Sequence, residues 1–178
     1  MAILKIARVG HPVLVTKASD VPCPFGPDVV RLVGDMIETM HDAGGVGLAA
    51  PQVHVPLRLF VFRVPAERGG EDPDDRPVED AVLINPVITP VGDGVVEGWE
   101  GCLSIPDMRA RVPRAERIRY RGMDISGAAV DMTVSGFHAR VVQHEYDHLD
   151  GILYPMRVRD FRSFGYAEEL ARAGALSA

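Results

Sequence analysis

The stretch His144-Glu145-Tyr146-Asp147-His148 decides more about this chain than any other. Residues four apart on a helix project from one face, so His144 and His148 can bind one metal ion. In a helix with the pattern HExxH the glutamate, here Glu145, is not a ligand but moves protons for a water at the metal. The pattern is typical of a hydrolase.

The residues around this motif favour a buried amphipathic helix. Segment 139–143 contains no helix breaker and places Val141 and Val142 within a turn of His144. Gly151 is placed to end the helix. Short motifs also occur by chance, and the alternative is that both histidines are ordinary, partly buried and hydrogen-bonded side chains.

A catalytic tetrahedral site needs three protein ligands and an open position. The longer pattern HExxHxxGxxH requires a histidine where this chain has Tyr154, which excludes that layout. Glu168 and Glu169 lie close to the C-terminus and are poor candidates. Cys102, upstream between Gly101 and a turn, offers a thiolate that suits a borderline metal, although most free cysteines are simply small buried hydrophobes.

A third segment, Gly45-Val46-Gly47-Leu48-Ala49-Ala50-Pro51-Gln52, is small and apolar except for its final amide. Small residues let another backbone approach closely. The amide of Gln52 can donate to a developing oxyanion, as side-chain amides do in acyl-transfer sites. The alternative is a tight loop after a helix, with Gln52 solvated.

Taken together, GVGLAAPQ (45–52), EGCLS (100–104) and QHEYDHLDG (143–151) resemble the three motifs of the peptide deformylases. The likeness extends through segments 104–106, 112–116 and 136–140, and it covers roughly residues 5 to 160. It implies a metal-dependent hydrolase that removes the N-formyl group from the initiator methionine of nascent polypeptides and releases formate.

The resemblance also implies roles for individual residues. One divalent metal ion per chain is held by Cys102, His144 and His148, and Glu145 is the catalytic acid and base. The main-chain N–H of Leu103 and the side-chain amide of Gln52 bind the oxyanion. This donor set suits zinc, iron, nickel or cobalt. Ferrous iron (Fe²⁺) is the first expectation, because similar proteins commonly use it.

Substrate binding is likewise implied by the resemblance. The methionine side chain enters an apolar pocket, and backbone groups bind the peptide as an added strand, which tolerates any sequence beyond the anchored side chain. The residues matched to these roles are Val46, Gly47, Gly101, Arg109, Phe137 and Val141. For Arg109 a solvated surface charge is the alternative. Glu100 and Arg114 match a pair that braces the metal-bearing loop.

Composition sets wider limits. The chain has 178 residues, of which 47% are hydrophobic, a length typical of one domain over 1–178. Its formal charge of -6 gives no basic footprint for nucleic-acid binding. No leader or membrane-length apolar run is evident, so we expect a cytoplasmic protein without a disulfide between Cys23 and Cys102. The resemblance implies N-formylmethionyl nascent chains as partners, with transient contact to the ribosome as a further expectation, and the composition predicts no membrane binding.

The pattern of apolar residues predicts an α+β fold, with short antiparallel strands packed around the C-terminal HExxH metal-binding helix. An N-terminal amphipathic helix is predicted over 28–41. Strands are predicted over 57–62, 81–84, 87–89, 118–121 and 129–134, and at Val112. Segment 67–80 is predicted to be a mobile insertion loop with too little apolar content to pack. A tail over 160–178 contains a helix-prone run from Ala167 to Leu176.

Two other functions fit parts of this pattern. A zinc endopeptidase is disfavoured by Tyr154 and by a cysteine ligand. A non-catalytic, metal-stabilised binding module needs a fourth ligand, and His11, His41 and His54 lie far from the motifs in sequence. His138 is expected in a turn that need not face the metal. Metal-dependent release of formate separates the three functions.

Overall fold

The structure, a computed structural model, describes residues 2–22, 26–70 and 72–177. Cys23 and Glu71 lie outside the described residues. The helices are α1 (Pro27–Asp42), α2 (Gly136–Leu149) and α3 (Ala167–Arg172). The strands are β1 (Gly47–Ala49), β2 (Leu59–Val64), β3 (Val78–Pro90), β4 (Val95–Cys102), β5 (Ile105–Ala115), β6 (Arg117–Met123), β7 (Ala129–Ser135) and β8 (Gly165–Tyr166).

Two antiparallel sheets form the framework. One has five strands in the order β1-β2-β3-β6-β7, and the other has three in the order β4-β5-β8. In β2, alternate side chains point to opposite faces, so Leu59 and Val61 pack with α1 while Phe60 and Phe62 pack with α2. The five-stranded sheet is therefore covered on both faces, which explains why Leu-Phe-Val-Phe is continuously apolar.

Helix α1 covers one face of the five-stranded sheet. It starts with Pro27, whose fixed φ suits the first helical position. Val33, Met36 and Met40 are buried against β1 and β2. The helix lies within one residue, at each end, of the segment predicted from the sequence.

Helix α2 lies between the two sheets. Val142 and Leu149 pack into the core of the five-stranded sheet. On the side of the smaller sheet, the amide of Gln143 donates to the carbonyl of Ala115 and accepts from its N–H, at 2.9 and 3.0 Å. The helix ends at Leu149, and Gly151 follows with a φ of +71°, as its sequence position predicts.

The sequence prediction is wrong at several strands. β3 is one strand of 13 residues, not two, because Asn85 adopts a φ of +49° and forms a bulge that interrupts the pattern. β4 is absent from the predicted strands, since two glycines and two glutamates hide its alternation. β5 extends over 11 residues around Val112. These strands are not all short, and α3 ends at Arg172, earlier than expected.

The described residues of segment 67–80 pack against the fold, so the expectation that the segment has too little apolar content to pack is wrong. Val78 packs against the apolar core, and the other contacts named here are polar. Buried Asp75 accepts hydrogen bonds from the N–H groups of Gly70, Phe137 and His138, at 3.0 to 3.1 Å. Arg117 forms ion pairs with Asp72 and Asp74. The segment thus covers the N-terminus of α2, where the helix dipole favours a carboxylate.

Two further features of the fold concern membranes and the C-terminal tail. Among the described residues, no helix is both long and apolar enough to span a membrane. β8 extends the smaller sheet by pairing Gly165 with Arg109 and Tyr166 with Met108. The C-terminal tail therefore supports the strand that carries Arg109.

Candidate metal centre and active site

Cys102, His144 and His148 converge in the described part of the chain. Cys102 is the last residue of β4, and both histidines lie on α2, four residues apart. Their ligand atoms all lie within 4.8 Å of one another, and all three side chains are buried. Sγ of Cys102 lies 3.3 Å from Nε2 of His148. Cys102 precedes the two histidines by 42 and 46 positions, and the contacts of α2 with β4 bring the three side chains together.

A carboxylate fixes the orientation of one histidine. Oε2 of Glu100 lies 2.9 Å from Nδ1 of His144, which leaves Nε2 of that ring for a metal. Arg114 donates to both oxygens of Glu100, at 2.8 and 2.9 Å. Glu100 and Arg114, which the sequence pairs in a supporting role, thus form a buried bidentate ion pair.

The electrostatics of the cluster favour the thiolate of Cys102 and the carboxylate of Glu100. Burial alone would raise the pKa of the Cys102 thiol, but His148 and His144 hold it well below its ordinary value. Burial would also raise the pKa of Glu100, and Arg114 and His144 lower it instead. The two histidines therefore favour the thiolate of Cys102, which is the form of cysteine that binds metals.

These residues fit a divalent metal ion. One thiolate and two imidazoles are three of the donors that a catalytic tetrahedral site uses, with one position open to a ligand. Buried His144 also has the carboxylate partner that metal-bound histidines usually have on their second nitrogen. No other group of histidine, cysteine, aspartate and glutamate side chains in the described residues is arranged to hold an ion.

Glu145 lies beside the cluster in a protected position. The residue is buried, and its Oε2 has no hydrogen-bond partner among the described residues. Burial raises the pKa of Glu145 to about 7, against the opposing effect of His144 and His148. A carboxyl group with a pKa near neutrality can both accept and release a proton at the pH of a cell.

Gln52 is held in place by its neighbours. Its Oε1 accepts from the N–H of Ala49 at 2.8 Å, and its Nε2 donates to Oγ of Ser104 at 3.1 Å. Nε2 also lies 3.5 Å from Sγ of Cys102, so the amide borders the cluster and is not solvated. Leu103 follows Cys102 in the turn between β4 and β5.

A cavity of about 450 Å³ opens beside the cluster. Most residues that the sequence assigns to the site line this cavity: Val46, Gly47, Gln52, Glu100, Gly101, Cys102, Leu103, Arg109, Phe137, Val141, His144 and Glu145. His148, although it belongs to the cluster, and Arg114 do not line the cavity. His138 lies in α2 and not in a turn, with its ring against Phe62 and Tyr120.

Sequence reasoning misses several residues around the cluster. Asp147 accepts from Arg114 and from Arg157, and so extends the ion pairs behind the metal ligands. The ring of Tyr154 stacks on that of His144 with centroids 6.1 Å apart. Arg140 donates to Oε1 of Glu100 at 2.9 Å. The spacing of Arg140 and Asp147 from His144, four and three residues, is the signal that could have found them.

Comparison with known proteins agrees with this geometry. Residues 3–163 match the family model for polypeptide deformylases. Peptide deformylase 1 of Nitrosomonas europaea is 51% identical over 93% of both chains. Peptide deformylase 2 of Ralstonia nicotianae is 49% identical over 93% of this chain and 92% of its own.

Solved structures resemble the whole fold. The peptide deformylase of Ehrlichia chaffeensis in complex with actinonin has a TM-score of 0.82 and 32% identity, over 99% of this chain and 95% of its own. The enzyme of Thermotoga maritima has a TM-score of 0.78 and 35% identity, over 90% of this chain and all of its own. The chain therefore belongs to the polypeptide deformylase family of metal-dependent hydrolases, which remove the N-formyl group from nascent polypeptides.

Proposed function

We propose that residues 1–178 act as one catalytic domain in which Cys102, His144 and His148 hold the metal and Glu145 is the acid and base. The observation that carries this proposal is the position of Glu145. Its buried carboxyl interacts electrostatically with all three ligand side chains and lies on the wall of the cavity. A proton carrier needs to be within reach of both a water and the substrate.

The chemistry divides between the ion and the protein. When bound, the ion acts as a Lewis acid that polarises the formyl carbonyl and lowers the pKa of a water. Glu145 takes a proton from the attacking water and delivers it to the amine that leaves. The amide of Gln52 and the N–H of Leu103 donate to the carbonyl oxygen as negative charge develops on it. Ala49 and Ser104 hold the Gln52 amide ready for this task.

The residues that line the cavity support a mode of substrate binding. Phe137 and Val141 offer apolar surface for the methionine side chain beside the metal ligands. Backbone groups near Val46, Gly47 and Gly101 bind the peptide as an added strand, because β1 and β4 are edge strands of their sheets. Arg109 lies on the cavity wall, where its guanidinium can reach the carbonyl groups of the peptide.

The metal is ferrous iron in this proposal, although zinc, nickel or cobalt would suit the same donors. The site of action is the cytoplasm, where formylated nascent chains emerge, and contact with the ribosome is transient. A thiolate ligand requires a reducing compartment, which agrees with this location.

Formate release from a short N-formyl-methionyl peptide, assayed without oxygen, tests the proposal. Metal content is measured in parallel, with Cys102→Ser and Glu145→Ala as controls. We expect release in proportion to bound metal, loss of metal in Cys102→Ser, and metal without release in Glu145→Ala. Cleavage of internal peptide bonds would instead indicate an endopeptidase, and metal binding without any release would indicate a binding module.

A further inference from the structure

A second cavity adjoins the one beside the metal ligands. Its volume is about 460 Å³. Four residues line both cavities: Arg68, Trp99, Phe137 and Arg140. Side chains that line two neighbouring cavities stand between them. These four residues therefore form the wall that separates the second cavity from the proposed methionine pocket.

Arg140 is the rigid part of this wall. Its Nη2 donates to the carbonyl of Val96 at 2.8 Å. Its Nη1 donates to the carbonyl of Val112 at 2.8 Å and to Oε1 of Glu100 at 2.9 Å. The side chain is only 13% exposed. Hydrogen bonds to β4, β5 and a buried carboxylate fix the guanidinium, so it cannot move aside for a ligand as a free arginine would.

The guanidinium of Arg140 occupies the place of a missing side chain. A Cβ built on Gly98 would lie 2.8 Å from both Cζ and Nη2 of Arg140. Gly98 lies in β4, opposite Val112. The space above Gly98 is therefore filled by a side chain of α2 rather than by one of β4. A branched side chain at position 98 could fill the same space.

Resting on the proposed deformylase site, we propose that Arg140, with Gly98, closes the inner end of the methionine pocket and sets the longest side chain that it accepts. Arg140 lies four residues before His144 and so projects from the same face of α2. A side chain that enters beside His144, Phe137 and Val141 meets the guanidinium at its far end. A longer side chain would have to displace a charged group with several hydrogen bonds, at a cost that apolar contact does not offset.

Peptides with linear first side chains of increasing length test this proposal. We would measure binding of X-Ala-Ser products to the metal-loaded enzyme by calorimetry, and kcat/KM for their N-formyl forms. X is norleucine, 2-aminoheptanoic acid or 2-aminooctanoic acid. In the wild type we expect a loss of about tenfold or more with the first methylene beyond norleucine, the discrimination that a closed apolar pocket achieves.

Variants of the wall should move this length limit. Arg140→Ala joins the two cavities, so the loss beyond norleucine should disappear. Adding Gly98→Ile to Arg140→Ala refills the space and should restore the limit. Arg58→Ala is the matched control, because Arg58 is also buried and bonded to α2, at the carbonyl of Leu149, but lines neither cavity. Arg58→Ala should keep the wild-type limit on side-chain length, whatever the substitution does to the stability of the protein.

Each outcome decides something. Affinity that rises steadily with length in the wild type, or a limit that survives in Arg140→Ala, would overturn the inference. The absence of a sharp limit in the wild type would overturn the inference even if Arg140→Ala does not fold. Failure of the wild type to release formate from any peptide in the series would count against the proposed function instead.

Discussion

The side chain of Glu145 lies directly against the backbone of Gly47. A Cβ built on Gly47 would come within 2.6 Å of Cδ and 2.8 Å of Cγ of Glu145. α2 and β1 approach each other so closely here that only a hydrogen atom fits between them. The small residues of segment 45–52 predict that another part of the chain approaches this backbone closely. In the structure, the group that does so is the carboxylate of Glu145.

Gly47→Ala should therefore disturb Glu145 without touching the metal ligands. The added methyl group pushes the carboxylate away from its position, and turnover should fall about a hundredfold, within the range that general acid–base groups contribute. The measurements are kcat/KM for a formylated peptide and metal per chain, which should stay at the wild-type value. Gly34→Ala in α1, where a Cβ meets nothing within 4 Å, is the control and should keep full turnover. Normal turnover in Gly47→Ala would show that Glu145 tolerates displacement.

Glu145→Gln tests the proton transfer itself. The amide has nearly the same shape as the carboxyl but cannot carry the proton, so turnover should fall by about 10²- to 10⁴-fold. Metal content and thermal stability should remain close to wild type, because Glu145 is not among the three converging ligand side chains. A variant that keeps near-full turnover at wild-type metal content would remove Glu145 from this role.

Glu100→Ala should strongly destabilise the protein. The substitution leaves the buried guanidinium of Arg114 with Asp147 alone, deprives Arg140 of its carboxylate, and frees Nδ1 of His144. Removing one partner of a buried ion pair costs about 3 to 5 kcal/mol of unfolding free energy. Urea denaturation at matched metal loading measures this cost. Asp131→Ala, which removes an exposed ion pair with Arg119, should give no resolvable change. A midpoint for Glu100→Ala equal to that of the wild type would contradict the bracing role.

The contrast between these sites shows what a sequence can and cannot predict. Cys102, His144 and His148 lie in short motifs, so the sequence alone is enough to predict the cluster that they form in the structure. The role of Glu145 stays a prediction. Helical spacing from His144 is enough to place Arg140 beside the cluster, but the sequence does not show that its guanidinium fills the space above Gly98, on a strand whose pattern the glycines hide. Asp75 lies in a segment that its acidic composition predicts not to pack. The composition does not show that the Asp75 carboxylate accepts hydrogen bonds from three backbone N–H groups.

His138 should make stability depend on pH. Burial lowers its pKa to about 4 from an ordinary value of 6.5, while a backbone hydrogen bond with Arg76 and the charge of Asp75 oppose the shift. Between these two values the unfolded chain binds a proton that the folded chain does not, so stability falls as the pH drops from 6.5 towards 4. At pH 5 the loss from this residue is about 2 kcal/mol relative to pH 8. His138→Gln lacks the titrating group and should lose correspondingly less over the same interval. If the wild type and His138→Gln lost the same stability between pH 8 and pH 5, that result would count against the lowered pKa of His138.

Asp75→Ala should weaken α2 at its N-terminus. Asp75 reaches from segment 67–80 to accept from Phe137 and His138 at the start of the helix, and losing such a cap costs about 1 to 2 kcal/mol. Asp75→Asn keeps one acceptor oxygen and should fall between Ala and the wild type in urea denaturation, whereas Asp93→Ala, at an exposed turn, should leave stability unchanged.

The same cap positions Phe137, whose ring centroid lies 4.2 Å from the guanidinium carbon of Arg68 on the cavity wall. Asp75→Ala should therefore also raise KM for formylated peptides more than it lowers kcat, because it loosens the pocket and leaves the metal ligands in place. An unchanged KM with reduced stability would restrict Asp75 to capping the helix.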